Sequence, residues 1–512
     1  MPTRFMTDPD QMRTMVGRFT RASDSNWTTK LWLSLFLMAF VAVSLIGVRL
    51  GFGSHGDSRA IFEKSVPAIL HGHYFPSRSL GNPLYEAVAS VLYPLGGLTL
   101  VNIYSLLLSL ASIAIFLRQL KAQGSLAIWA VAGFVFNPIF LIEATSPTEW
   151  AQATFFFVAA IALAQGWLGA RRNWQLALYA VTIGALVLTR PDFWPACLAL
   201  FAAVLWQLKR QKRASLLFVG SNAVAALAVM LVFTTINGGL SPLRRTQEML
   251  GEATLLRRLF VSIFGFVNLF GVAGLAALVA GTFILVRQTI GSQGIDTTLT
   301  EKLFLLIWPL FVIRFVAQPD KLEYILPLIP ASLLALSAPR QPRLVPAIVA
   351  LSLIANSLLS ISLFERPTAS DQLQFAPRLN RGALFQDWDQ RRAIQRALDP
   401  DFLDRLSAIV YASDGGRSPS PLRSKNFDPG LTSNERDLVI SQDQLYKLDN
   451  ARFRKDSTLA RGNYRRIFVC NQTIVPSPAA TGWRVLQPPP IYVNFDHDQS
   501  KFRCWLEDPP NG

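Results

Sequence analysis

The chain has 512 residues, 51% of them hydrophobic and only 16% charged. Soluble domains carry about 25% charged residues, and a soluble core does not absorb repeated apolar runs that each approach the roughly 20 residues of a bilayer crossing; an ordinary soluble protein is excluded. The net charge of +16 would suit a nucleic-acid binder, but the basic residues sit in short connections between apolar runs, which argues against nucleic acid as a partner.

Residues 1–30 form a polar arm ahead of the first run. Eleven candidate spans follow: Leu31–Val48, Leu98–Leu117, Ser125–Ile142, Trp150–Leu168, Trp174–Thr189, Phe193–Leu208, Leu216–Ile236, Leu259–Val286, Leu303–Val316, Tyr324–Leu336 and Leu344–Leu363. They predict an all-α polytopic membrane bundle of about 11 transmembrane helices over 31–364. A polar arm precedes Leu31–Val48 and no small-residue cleavage site follows it, so it is expected to stay as an anchor. Arg118 and Lys121, Arg171 and Arg172, Lys209 to Arg213, and Arg340 and Arg343 fall in alternate connections. By the bias of basic residues toward the cytoplasm, the amino terminus and these connections lie inside and the carboxyl terminus outside. The connection 240–258 breaks the rule: it is expected outside, yet it carries Arg244, Arg245, Arg257 and Arg258.

The first external loop, 51–97, is too long for a simple connection. Its second half reads as a helix lying in the membrane interface, with Leu84, Val88, Val91, Leu92 and Leu95 on one face. Pro83 suits its start, and Pro94 with Gly96-Gly97 its end. At Glu365-Arg366-Pro367 the composition turns polar. The tail 365–512 has the length of one domain. Short β-rich runs at 408–411, 438–440, 466–469 and 491–493 alternate with helix-like stretches at 391–398 and 442–448, predicting a soluble, external α/β domain. Cys470 and Cys504 both lie in this tail, where a disulfide is permitted; no spacing rule pairs them. Cys197 reads as a small packing residue inside a span.

Four polar clusters interrupt the apolar pattern. The first loop holds Asp57 just past the first span, with His55, His71, His73, Arg59, Glu63, Lys64 and Arg78. A carboxylate near a low-dielectric boundary can have a raised pKa and act as a base; the plain alternative is a solvated loop. Asp57 with His71 and His73 would also serve a divalent metal, although their spacing matches no standard ligand pattern. The second cluster is Leu188-Thr189-Arg190-Pro191-Asp192-Phe193-Trp194. Arg190 and Asp192 at membrane depth are functional candidates, or a mutual ion pair joining two helices. The third is Glu143 to Glu149, after Asn137-Pro138, where a helix break is expected. The fourth runs from Gln318 through Glu323 and Tyr324 to Pro330. All four fall on the predicted external side, and that asymmetry points to an external active site.

In this order the clusters resemble the polytopic GT-C glycosyltransferases, the group that includes protein O-mannosyltransferases and the aminoarabinose transferase of lipid A. The resemblance rests on Gly56 to Phe62, His71 to Pro76, Gly81 to Tyr85 and Leu92 to Gly97. The Ser146-Pro147-Thr148-Glu149 turn, the Thr189-Arg190-Pro191-Asp192 junction and Glu323 to Pro330 continue it, so that it spans residues 30–340. Many members carry an Asp-Glu pair in the first loop; here Ser58 follows Asp57. The resemblance implies a transfer of sugar from a polyprenyl-phosphate donor to a glycan, lipid or protein acceptor, with inversion and with Asp57 as general base. It implies Arg78, Arg190, Arg244 and Arg245 on the donor phosphate, and His71, His73, Glu149, Asp192 and Glu323 orienting sugar or acceptor. The implied location is a bacterial inner membrane. A transporter or flippase of lipid-linked glycans would place binding residues near the midplane and show internal repeats, neither of which is seen. A glycan ligase or polymerase is not separable from a transferase at this level, and a scaffold would hardly need eleven spans.

Overall fold

The computed structural model describes residues 9–53, 58, 61–77, 81–120, 126–237, 255–291, 298–317, 322–338, 341–365 and 374–398, and strands at 436–441, 464–470, 483–485 and 504–507. Helices dominate, and six of them are long and apolar enough to cross a membrane. α1 (Pro9–Val48) leads into the first loop, which holds a π-helical turn (Ile61–Ser65) and the short α2 (Val66–Leu70). α3 (Pro83–Leu120) turns inside itself at Gly96 and Gly97. Gly97 sits at φ 60°, ψ −157°, a region open to glycine and costly for other residues. The predicted interfacial helix and the following span are therefore two helical segments separated by a kink at the glycine pair, where the first was expected to end.

The expected break before the 143–149 turn is present. α4 (Leu126–Val135) ends two residues before α5 (Pro138–Glu143). Asn137 caps α5 by accepting from the Phe140 amide at 2.8 Å, and Pro138 occupies the first helical position, where its missing N–H costs nothing. α6 (Trp150–Ala170), α7 (Asn173–Thr189), α8 (Trp194–Leu208) and α9 (Lys212–Asn237) follow. α10 (Leu255–Gly291) is bent at Gly271, φ 67°, and Asn356 donates to the Leu269 carbonyl that the bend frees, at 2.9 Å. α11 (Leu299–Ala317), α12 (Leu328–Leu336) and α13 (Leu344–Leu358) complete the bundle.

Lipid gives helices no hydrophobic reason to associate, so close approach of small residues carries much of the packing. At Gly133 an added Cβ would meet Cα and Cβ of Ala350 at 3.0 Å, so α4 and α13 touch nearly backbone to backbone. α9 shows the opposite face of the same physics. Leu216 is 73% and Leu231 68% exposed, and only 11% of its apolar window is buried. In water such a stripe would be an aggregation hazard; against acyl chains it is the expected surface.

The last predicted span, Leu344–Leu363, is corrected: its helix stops at Leu358, and Leu359–Glu365 is strand β1. β1 pairs antiparallel with β2 (Gln374–Arg381), and the Gly382 amide donates to the Leu358 carbonyl at 2.8 Å. Chain from beyond the bundle thus takes the orphan carbonyl at the end of α13, where hydropathy alone would continue the helix. α14 (Ala383–Leu398) then buries Leu384 and Trp388 in the same apolar cluster as the membrane helices. Farther on, β3 (Arg436–Ser441), β4 (Tyr464–Cys470), β5 (Trp483–Val485) and β6 (Cys504–Glu507) form a sheet of order β3-β4-β6-β5. β3 and β4 are parallel, the other pairs are antiparallel, and the register sets Cys470 opposite Cys504. The β-rich runs expected at 408–411 and 491–493 and the helix expected at 442–448 lie outside the described residues.

Candidate functional site

The turn after α5 is built from small hydroxyl residues that bond back onto the helix they follow. Ser146 donates to the Ile142 carbonyl at 2.9 Å and Thr145 to the same oxygen at 3.3 Å. The Thr148 hydroxyl donates to the Glu143 carboxylate. Glu143 and Glu149 are both buried. A buried carboxylate is costly unless a cation or donors answer it, and for Glu149 the answer comes from the next helical pair.

Arg190 leaves α7 in extended backbone, because Pro191 disfavours a helical conformation before it. Its guanidinium, fully buried, forms an ion pair with Glu149. It lies 3.8 Å from the Trp150 ring centroid and 5.4 Å from that of Tyr324. Asp192 bridges outward, 3.4 Å from Arg190 and 3.3 Å from Arg314. Arg314 in turn stacks on Tyr324 at 4.6 Å. Charges therefore alternate from Glu149 through Arg190 and Asp192 to Arg314, and the aromatic faces fill the flanks of the chain. Low dielectric strengthens each contact in it, and removing one member strands its neighbour.

Both ends of the first loop reach this assembly. At its start, Asn102 donates to the carbonyls of Val48 at 3.1 Å and Gly51 at 2.9 Å. A Cβ on Gly53 would sit 3.5 Å from both Ser146 and Ser58, and Ser58 donates to the Gly53 carbonyl at 3.4 Å. Asp57 lies outside the described residues, but Gly53 and Ser58 on either side of it rest beside the 143–149 turn. At the loop's far end, Glu86 is buried on α3 and gathers the loop. It accepts from the Ser77 amide at 3.2 Å, from the Ser77 hydroxyl and from Tyr74. Burial first, then the Glu86 carboxylate, pushes the Tyr74 phenol well above its ordinary pKa, so it remains a donor. Asn82, with its amide nitrogen turned toward α7, donates to the Thr189 carbonyl at 3.3 Å. Gln152 donates to the Thr189 hydroxyl at 2.9 Å and accepts from Tyr104 at 3.1 Å.

Three of the four clusters that were separate in sequence thus meet, and described residues of the first loop reach them. Glu149, Arg190 and Asp192 are joined directly, and Glu323 is buried beside Tyr324 at their edge. His71 and His73 are exposed. A His71 ring nitrogen contacts the Pro67 carbonyl at 2.6 Å, a helix-end role. Among the described residues no group of three potential metal ligands occurs. Arg78, Arg244 and Arg245 lie outside the described residues. Arg258, from the connection that broke the charge rule, donates to the Ala317 carbonyl at 3.4 Å, at the end of α11. Sequence reasoning missed Glu86, which lies off the apolar face of the interfacial helix. It also missed Arg314, counted inside an apolar span, although one arginine two residues from the end of such a run was a usable signal.

No family model matches the chain, and no curated relative does. Solved structures do. ArnT from Cupriavidus metallidurans bound to undecaprenyl phosphate aligns over 94% of this chain and 98% of its own, with TM-score 0.51 and 12% identity. The same protein in the apo state gives 0.49 at 12% identity, over the same shares of the two chains. An oligosaccharyltransferase from Archaeoglobus fulgidus, in complex with Zn and sulfate, covers 62% of this chain and 49% of its own at TM-score 0.35 and 15% identity. The chain shares the fold of the ArnT structure.

Proposed function

We propose that the chain is an integral-membrane glycosyltransferase that moves a sugar from a polyprenyl-phosphate donor to an acceptor at the external membrane face. The observation that carries the reading is the convergence of three polar clusters, with residues flanking Asp57 beside them, in a chain with the ArnT fold. The ArnT structure contains undecaprenyl phosphate, which supports a lipid-linked donor here. The setting is a bacterial inner membrane crossed about eleven times, with the amino terminus inside and a soluble α/β region of the tail outside.

Asp57 takes the proton of an acceptor hydroxyl or amine. The freed lone pair attacks the anomeric carbon, and the bond from that carbon to the phosphate oxygen breaks. Its electrons leave on polyprenyl phosphate, and the centre inverts. General-base assistance of this kind is worth about 100-fold to 10,000-fold. The developing phosphate charge needs cations. Arg78, Arg244 and Arg245 are the candidates. Arg190, ion-paired with Glu149, is reassigned to holding the site together, with Asp192 and Glu323 at its rim for sugar or acceptor. His71 and His73 are candidates for contact with the sugar or acceptor.

The test is release of polyprenyl phosphate and appearance of a glycosylated acceptor by purified protein in liposomes. The acceptor is first identified by comparing envelope lipids and glycans with a deletion strain. Asp57→Asn is expected to lower turnover at least about 100-fold with normal membrane insertion. Undiminished turnover contradicts the base assignment, and transbilayer movement of intact donor without bond cleavage points to a flippase instead.

A further inference from the structure

α14 belongs to the tail, yet one of its side chains ends inside the bundle. Arg391 is fully buried and spreads its planar fork over two distant segments. Its Nε donates to the Phe52 carbonyl at 3.1 Å. One terminal nitrogen donates to the Thr145 hydroxyl at 3.1 Å. The other donates to the carbonyls of Thr145 at 2.7 Å, Gly47 at 3.0 Å and Gly51 at 3.5 Å. Asp387, one turn earlier on the same helix, lies 3.5 Å away and offsets the charge. Burial pulls the guanidinium below its ordinary pKa, and Asp387 acts against that.

The acceptors explain why an arginine stands there. Gly47 to Phe52 is where α1 ends, and the last carbonyls of any helix lack intrahelical partners and favour a cation. Asn102 serves Val48 and Gly51 from one side; Arg391 serves Gly47, Gly51 and Phe52 from another. The same fork holds Thr145, so the exit of α1 and the 143–149 turn are fixed to each other through a residue 246 positions from Thr145. Gly53 and Ser58, the described neighbours of Asp57, come next along that exit.

We propose that Arg391 is a positioning residue: it sets the exit of α1 against the 143–149 turn, and so sets where Asp57 stands. Residues beyond the membrane bundle then belong to the transfer machinery. The inference rests on the reading of Asp57 as the base.

The test uses the full chain in liposomes or detergent. Arg391→Ala is expected to lower kcat about tenfold or more, as small misplacements of a reacting group do, and to leave KM for the lipid donor unchanged. Added guanidinium ion is expected to recover part of kcat. Amide hydrogen exchange should quicken over 48–53 and stay unchanged over 74–77, which Glu86 holds independently. If Asp57→Asn abolishes transfer while Arg391→Ala turns over as wild type, the inference is overturned and the reading of the base stands. Unchanged exchange over 48–53 overturns it whatever the fate of Asp57. Should Arg391→Ala give no monodisperse protein, Arg391→Lys replaces it. A single ammonium does not span the carbonyls of Gly47, Phe52 and Thr145, so the same split is expected at smaller size, and wild-type kcat and exchange in that variant sink the proposal.

Discussion

The two ends of the bundle treat charge differently, although the end with the exposed connections also buries Glu301 and Lys302 at the start of α11. At one end Arg118, Arg172, Lys209, Arg210 and Arg343 are exposed, as short connections require. At the other, Glu143, Glu149, Arg190 and Arg391 are buried, and Glu149, Arg190 and Arg391 are engaged by partners distant in the chain. Exposed ion pairs contribute little, whereas a buried pair loses heavily if one partner goes. The difference teaches that counting charges by side predicts an orientation, whereas burial shows where charge is held by partners.

That contrast breaks most visibly at Arg190. Arg190→Leu leaves Glu149 buried without its cation and is expected to cost about 3–5 kcal/mol, read as loss of melting temperature in detergent. Adding Glu149→Gln should recover a large part, and a double-mutant cycle showing no coupling between the two would contradict the pairing. Glu86→Gln tests the same end more gently. It keeps shape but removes charge from three donated bonds, for about 1–3 kcal/mol and faster proteolysis between Tyr74 and Ser77. Because the Tyr74 phenol is raised, its contribution is complete below its unfolded pKa of about 10 and fades only as pH climbs through the higher folded value. The smallest effect belongs to the opposite end. Lys209→Gln with Arg210→Gln should leave the melting temperature unmoved, and a clear loss there would erase the distinction between the two ends.

Much of this was legible in the chain because the signals are local. Asn137-Pro138 announced a helix break; Gly96-Gly97 announced the end of the interfacial helix; Thr189-Arg190-Pro191-Asp192 announced a junction between two spans. What was not legible is pairing at a distance. Arg190 and Asp192 suggested each other, and they do lie 3.4 Å apart, but the ion pair with Glu149 joins residues far apart in sequence. Arg391 was hidden for the same reason, since the tail read as a region apart from the bundle. The overrun of the last span past Leu358 has a related cause: hydropathy does not distinguish a helix crossing lipid from an apolar strand paired with the chain that follows.

The bend at Gly271 shows where polarity hides inside an oily helix. The Leu269 carbonyl it exposes is answered by Asn356, a residue that any scale of greasiness would mark for replacement by leucine. An engineer smoothing that position would be removing the amide that answers the Leu269 carbonyl where α10 changes direction.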